Sequence, residues 1–220
     1  MQLTKNINQG KYLLALHSTS ETLGVGVHNL KNESENTNVL TFETGKTLSK
    51  NIFIYINKIL PYNEWSQIER IGVAIGPGGF TGTRLSIAMA RTIAQQLKCE
   101  VDGISSFSLM AKRLYKENKS FLLDKSFWIT SPLKRRGLIG GQYKILANKS
   151  LAYCDQVLEL KSPHLLDSET DISIKINADY DILNDTLELL KIIISAHEIN
   201  KISPWENILP IYPTSPIDNY

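Results

Sequence analysis

Apolar residues recur along this chain at two spacings. Runs that are continuous or alternate with polar residues fall at 12–16, 22–28, 39–42, 71–75 and 101–104, and these read as strands. The first three are joined by polar turns, the longest at 29–38, and predict an antiparallel meander. Longer apolar periods predict helices over about 47–60, from about 83 to 97, over about 106–118 and over 183–199. In the first of these Leu48, Ile52, Ile56 and Ile59 share a face, Phe53 and Leu60 lie off it, and Pro61 is the stop. The order through residue 118 is therefore β-β-β-α-β-α-β and then a helix capped by Ser105 or Ser106. A polar break at 116–119 divides the chain into an expected N-terminal half, 1–118, and a C-terminal half, 119–220. The second half reads less clearly. Strands are expected at 126–130, 138–146, 151–154 and 172–176, with a turn at 162–164, and a further apolar run falls at 208–213. On the 183–199 helix Leu187, Leu190, Ile194 and Ala196 or His197 are expected to face inward.

The stretch 71–97 organises the rest. A buried strand enters a corner made of Gly76, Pro77, Gly78, Gly79 and Gly82 and leaves it as a helix, and 101–104 returns the chain to the sheet as a parallel neighbour. A phosphate-binding reading fails on spacing. After Gly82 come Thr83 and Arg84, not the Lys-Ser/Thr of a Walker loop, and Gly82 falls one place too late for G-x-G-x-x-G. The corner is read as a packing device, in which Gly79→Val should destabilise the fold.

The helix after the corner has few charges. Leu85, Met89 and Ile93 supply one apolar stripe, while Ser86, Ala90 and Ala94 add a row of small residues at four-residue spacing. Small residues let two helix axes approach closely, so this row fits a partner helix or the chain's own sheet. Phe53, Leu60, Ser86, Met89, Ala90, Ile93 and Ala94 are the candidate partner-binding residues.

The segment GPGGFTGTRLSIAMARTIAQQL, followed by Gly103, Ile104, Ser105, Ser106 and Phe107, resembles the signature of the TsaB (YeaZ) family. The match is specific over 71–111, weaker before it and faint in the second half. The resemblance implies an α/β, actin/Hsp70-like ATPase fold of two ribonuclease-H-like halves with mixed sheets. It also implies a non-catalytic partner of the TsaD threonylcarbamoyltransferase, which makes N6-threonylcarbamoyladenosine next to the tRNA anticodon. Contact with the ATPase TsaE is implied, as are a homodimer through the same helices when TsaD is absent and contact with tRNA only through the complex. The chain departs from the family in three places. His17 stands where the family has the Asp of Asp-Thr-Ser-Thr-Glu, and an imidazole is a poor ligand for magnesium–phosphate. Leu133, Lys134 and Leu138 flank Arg135, Arg136 and Gly137 where Asp, Ala and Glu are usual. Pro213 and Thr214 replace the Leu-Arg of a terminal Pro-x-Tyr-Leu-Arg.

Charge and absences narrow the function. With 24 basic and 22 acidic residues the net charge is +2, too little to hold nucleic acid by a global field. Cys99 and Cys154 have neither metal nor redox spacing. The four histidines form no H-x-x-x-H or H-E-x-x-H pair, and G-x-S-x-G is missing, which weakens a glycoprotease-like peptidase. The opening residues are polar, no run approaches a membrane span, and a cytoplasmic chain is expected. The reading is a non-enzymatic subunit with no catalytic residue, metal or cofactor. The alternative is an ATPase or kinase-like enzyme of the same fold.

Overall fold

The computed structural model describes residues 11–214 apart from 32–35, 135, 147, 149, 168–169 and 171. The chain runs β1 (Tyr12–His17), β2 (Thr22–Asn29), β3 (Thr37–Glu43), α1 (Leu48–Ile59), β4 (Ile68–Ala74), α2 (Phe80–Leu97), β5 (Glu100–Ile104) and α3 (Ser106–Glu117). It continues through a single helical turn, α4 (Lys119–Leu122), then β6 (Ser126–Leu133), β7 (Gly137–Ile145), β8 (Val157–Leu165), β9 (Lys175–Asn177) and α5 (Ile182–Glu198). One sheet has the order β3-β2-β1-β4-β5 and the other β8-β7-β6-β9. Both are mixed. β1 pairs antiparallel with β2 but parallel with β4, and β6 pairs antiparallel with β7 but parallel with β9.

The unbroken apolar run of β1 follows from its central place, since a strand covered on both faces has no solvent side. Leu14 and Leu16 join Ile52, Ile56, Ile87 and Ala90 in the core under α1 and α2. Leu13 and Ala15 face the other way, into a core with Leu109 of α3 and Leu189, Leu190 and Ile193 of α5. A third core packs α3, through Phe107, Met110 and Leu114, on Phe127, Ile129 and Tyr143 of the second sheet. The layers are therefore α1 and α2, the first sheet, α5 and α3, and the second sheet.

α5 comes from the end of the chain yet covers the first sheet, and that sheet is shaped to receive it. A Cβ on Gly24 would lie 2.0 Å from Thr186 Oγ1, and one on Gly72 would lie 2.7 Å from Ile193 Cγ2. Ion pairs tie α5 to α3: Arg113 to Asp185 at 3.0 Å and Lys116 to Glu188 at 2.5 Å.

The predicted strands and helices of the first half are present, most with ends shifted by a few residues. α2 begins at Phe80 rather than near Thr83. The second half departs further. Residues 151–154 hold no strand but a turn of 3-10 helix, Tyr153–Asp155, and 208–213 is extended without belonging to a sheet. The turn expected at 162–164 is instead the end of β8. Pro163 is tolerated because β8 is an edge strand, where a missing N–H costs no ladder bond. On α5 Leu190 and Ala196 are buried as expected, but Leu187 and Ile194 are only half-buried, and Ile182, Leu189, Ile192 and Ile193 carry the contact.

Candidate functional site

The glycine corner meets the turn that follows β1. Gly79 N–H donates to Thr19 O at 2.6 Å, and Ser18 Oγ donates to Gly82 O at 2.8 Å while lying 2.6 Å from Ser86 Oγ. On the other side Ser106 N–H donates to Gly76 O and Ser106 Oγ to Pro77 O. Three glycines are required by this apposition. Gly76 has φ +99°. A Cβ on Gly78 would stand 2.3 Å from Thr19 O, and one on Gly82 would stand 2.5 Å from Ser18 O. Gly79 is the exception: its nearest neighbour would be 3.5 Å away, an ordinary contact. The destabilisation expected of Gly79 therefore belongs to Gly78 and Gly82. Two carbonyl oxygens face the corner and the Gly79 N–H is occupied, an arrangement suited to packing backbone on backbone and unfavourable to an anion at that point.

Above this contact lies a cleft of about 830 Å³ between the two sheets' ends. Thr19, Gly78, Phe80 and Lys46 line it together with Ser131, Leu133 and Arg136, and residues 210–214 form a further wall. Of the two arginines at 135 and 136, Arg136 reaches this cleft and Arg135 lies outside the described residues. His17, at the end of β1, is fully buried, and neither ring nitrogen has a partner among the described residues. Burial holds its pKa down at about 4, against 6.5 for a free imidazole.

The small-residue row faces inward. Ser86, Ala90 and Ala94 are wholly buried, and Ala90 and Ala94 belong to the core that α2 forms with β1 and β4, so the close approach their size permits is to the chain's own sheet. Met89 and Ile93 are buried in the same core. Leu60, expected off the core stripe, is also buried, because the chain turns down at Pro61 and the Trp65 indole N–H donates to Leu60 O. Of the seven candidate partner residues only Phe53 is exposed, at 50%. It stacks on Trp65 at 6.1 Å, Trp65 meets Tyr62 at 5.0 Å, and Ile54 and Tyr62 are also more than half exposed. The outward positions of α2 are Phe80, Thr81, Arg84, Ala88, Thr92, Gln95 and Gln96. Helical periodicity finds an apolar face but does not say which of two apolar faces meets the sheet, so Tyr62 and Trp65, in a 3-10 turn, escaped it.

Among the described residues the thiols and histidines form no catalytic constellation. Burial pushes the Cys99 thiol up to about 12 and raises Cys154 as well, the opposite of activation. His28 contacts Thr37 Oγ1, His164 contacts Ser162 O, and His197 lies 3.5 Å from Glu69, so the histidines are dispersed. Among the described residues no three His, Cys, Asp or Glu side chains are grouped to hold a metal ion, and no helix is long and apolar enough to cross a membrane.

Comparison with known proteins bears on the same elements. The family model described as TsaD, tRNA N6-adenosine threonylcarbamoyltransferase, matches residues 39–175. The tRNA threonylcarbamoyladenosine biosynthesis protein TsaB of Buchnera aphidicola subsp. Schizaphis graminum (strain Sg) is 31% identical over 93 residues, 42% of this chain. The chain spans about two-fifths of that relative's length, 41%. Among solved structures, a Pseudomonas aeruginosa protein described as similar to the peptidase YeaZ superposes with a TM-score of 0.70 at 16% identity, covering 93% of this chain and 100% of its own. YeaZ from Pseudomonas aeruginosa gives 0.67 at 17% identity, covering 92% and 99%. These two share the fold, two mixed sheets in an α/β arrangement as the actin/Hsp70-like class requires.

Proposed function

The chain belongs to the TsaD family, and from that premise we propose that it is a TsaB (YeaZ)-type, non-catalytic subunit of the machinery that makes N6-threonylcarbamoyladenosine in tRNA. Its task is assembly: it docks on TsaD through the N-terminal helices and holds that enzyme in a competent state. TsaE binds the resulting complex, tRNA is met only through it, and the same helices form a homodimer when TsaD is absent. The division into halves at 118 and 119 and a cytoplasmic location are part of the same reading.

The observation that carries it is the outer side of α1 and its following turn. Phe53, Ile54 and Tyr62 are each about half exposed, with Trp65 packed between the rings, on the same side of the sheet as the charge-poor outer face of α2. Aromatic residues clustered on a rigid helix are the usual anchors of protein interfaces. The absence of an activated thiol, a histidine pair or a metal cluster among the described residues is compatible with a subunit that assembles rather than reacts.

The test is co-expression with TsaD from the same source, followed by sizing. The wild-type chain is expected to co-elute with TsaD, and Phe53→Glu to melt as the wild type does but to lose the complex. A burial-anchored aromatic contributes about 2 kcal/mol or more, a ~30-fold loss of affinity. Co-elution of Phe53→Glu at wild-type affinity would move the docking surface elsewhere.

The cleft of about 830 Å³ favours a second reading, an ATPase or kinase-like enzyme. Against it stand His17 in place of a carboxylate and the corner carbonyls. The isolated chain is expected to bind ATP–magnesium weakly or not at all, and saturable micromolar binding by calorimetry would promote the enzyme reading.

A further inference from the structure

Residues 203–214 follow no element of regular sheet, yet they touch both halves of the molecule. At the upstream end Val101 N–H donates to Ser203 O at 2.9 Å, and Ile208 is buried in the core of the first sheet. Midway, Ile211 N–H donates to Ile75 O at 2.8 Å, just past the end of β4. At the downstream end the partners change. Leu165 N–H, at the end of β8, donates to Pro213 O at 3.1 Å, and Arg136 Nη1 donates to Thr214 Oγ1 at 3.2 Å. The segment therefore leaves the first sheet and lands on the second, and on the way residues 210–214 form one wall of the cleft.

The two ends are held by different physics. Ile208 is anchored by apolar burial. Beyond it no large side chain of the segment is buried, and Tyr212 remains 41% exposed. Tyr212 is held by a cluster on the first turn of α2. The Arg84 guanidinium lies 3.5 Å above the Phe80 ring and 4.9 Å from the Tyr212 ring, its Nε donates to the Tyr212 hydroxyl, and the two rings sit 5.8 Å apart. No carboxylate partners Arg84 among the described residues. A guanidinium resting against two aromatic rings at a partly exposed site is a weak contact, which holds a segment while letting it open.

We propose that residues 209–214 are a strap across the cleft, hinged after the buried Ile208 and latched by Arg84 against Phe80 and Tyr212, and that release of the latch admits solutes to the cleft. Opening breaks the Ile211 and Leu165 amide bonds together, because both lie downstream of the hinge. It leaves the Val101 bond to Ser203 intact, because that bond lies upstream.

Hydrogen exchange on the full chain reads those amides individually. Arg84→Ala and Tyr212→Ala are each expected to speed exchange at Ile211 and Leu165 at least tenfold with Val101 unchanged, and the double variant to go no further than either single one. A Ser131→Cys side chain on the cleft wall, alkylated by iodoacetamide and read by peptide mass, is expected to react faster in the same variants. Unchanged exchange at Leu165, an equal rise at Val101, additive effects in the double variant, or unchanged alkylation would each overturn the latch. Should Tyr212→Ala fail to fold, Tyr212→Phe keeps the ring and removes the bond to Arg84. It is expected to give a smaller rise at the same two amides, and no rise there would overturn the latch as well.

Discussion

Lowering the pH from 8 to 4 should remove the stability that one residue, His17, contributes to this protein. Its imidazole is fully buried at the end of β1, with no partner for either nitrogen among the described residues. Desolvation is the dominant cause of its lowered pKa, and the polarity of its own nearby backbone opposes it only in part. The unfolded chain binds a proton near pH 6.5, whereas the folded chain resists until about 4. Between those values the unfolded state holds more protons, so stability is complete above pH 6.5 and is lost as pH falls toward 4. A gap of that size corresponds to about 3 kcal/mol, against a total of about 5–15 kcal/mol for a typical domain.

The same window contains an opposing group. Asp185 is buried, and desolvation outweighs its bond from Arg113 and lifts its carboxyl to about 7. Its folded form binds protons that the unfolded form, near 3.8, has lost. Its contribution is therefore present at low pH and disappears as pH rises through 7. The raw pH profile sums both terms, so the informative quantity is a difference between two chains that share Asp185. His17→Leu removes the titrating ring and both unsatisfied nitrogens at similar volume. Denaturant unfolding of both chains at pH 7.5 and 4.5 should show the wild type losing about 3 kcal/mol more than the variant. At pH 7.5 the variant should equal or exceed the wild type, since an unpartnered buried polar group costs about 1–3 kcal/mol. Parallel pH profiles would refute the reasoning and mean that His17 is hydrated or protonated in the fold.

Three further outcomes are expected. Gly78→Ala should lower the melting temperature sharply or prevent folding, because the added Cβ lies 2.3 Å from the Thr19 backbone, whereas Gly79→Ala should stay within about 1 kcal/mol of wild type; equal losses on thermal melting would contradict the packing account. Asp102→Asn should cost about 3–5 kcal/mol in denaturant unfolding, since it leaves the Arg70 guanidinium buried without the carboxylate that now accepts two hydrogen bonds from it. Ala90→Glu places a carboxylate in a fully buried site and should give insoluble or non-cooperatively melting protein, where a cooperatively melting monomer would mean that α2 can turn its small residues outward.

How far the fold could be read from sequence depended on which surfaces decide each element. β1, β2 and β4 are buried on both faces, so their apolar runs are complete, and the strand–corner–helix unit announced itself through Gly76, Gly78 and Gly82. β8 is an edge strand whose residues 158–162 are all exposed. Pro163 there imitates a turn, and only the pairing with β7 makes it a strand. α5 was found as a helix but its inward face was misjudged, because its seat is set by Gly24, Gly26 and Gly72 on strands more than a hundred residues earlier.

The two readings of the small-residue row separate for a related reason. A helix that is apolar on two sides fits either a partner helix or the chain's own core. The core supplies both sides: Ser86 bonds to the β1–β2 turn, Ala90 and Ala94 sit in the core shared with β1 and β4, and Met89 and Ile93 fill the space toward the neighbouring elements. What remains outside, past Phe80 and Arg84 at its start, is a face of Thr, Ala and Gln, too mild in composition to stand out in a hydrophobicity pattern, beside aromatic residues on a 3-10 turn that no helical period reaches. Sequence periodicity ranks residues by apolarity, and the exposed large apolar side chains here are Phe53, Ile54 and Tyr62, with Phe80 at the start of α2, rather than the apolar stripe of that helix. A substitution at Ala90 would therefore report on folding, and one at Phe53 would test the proposed docking surface.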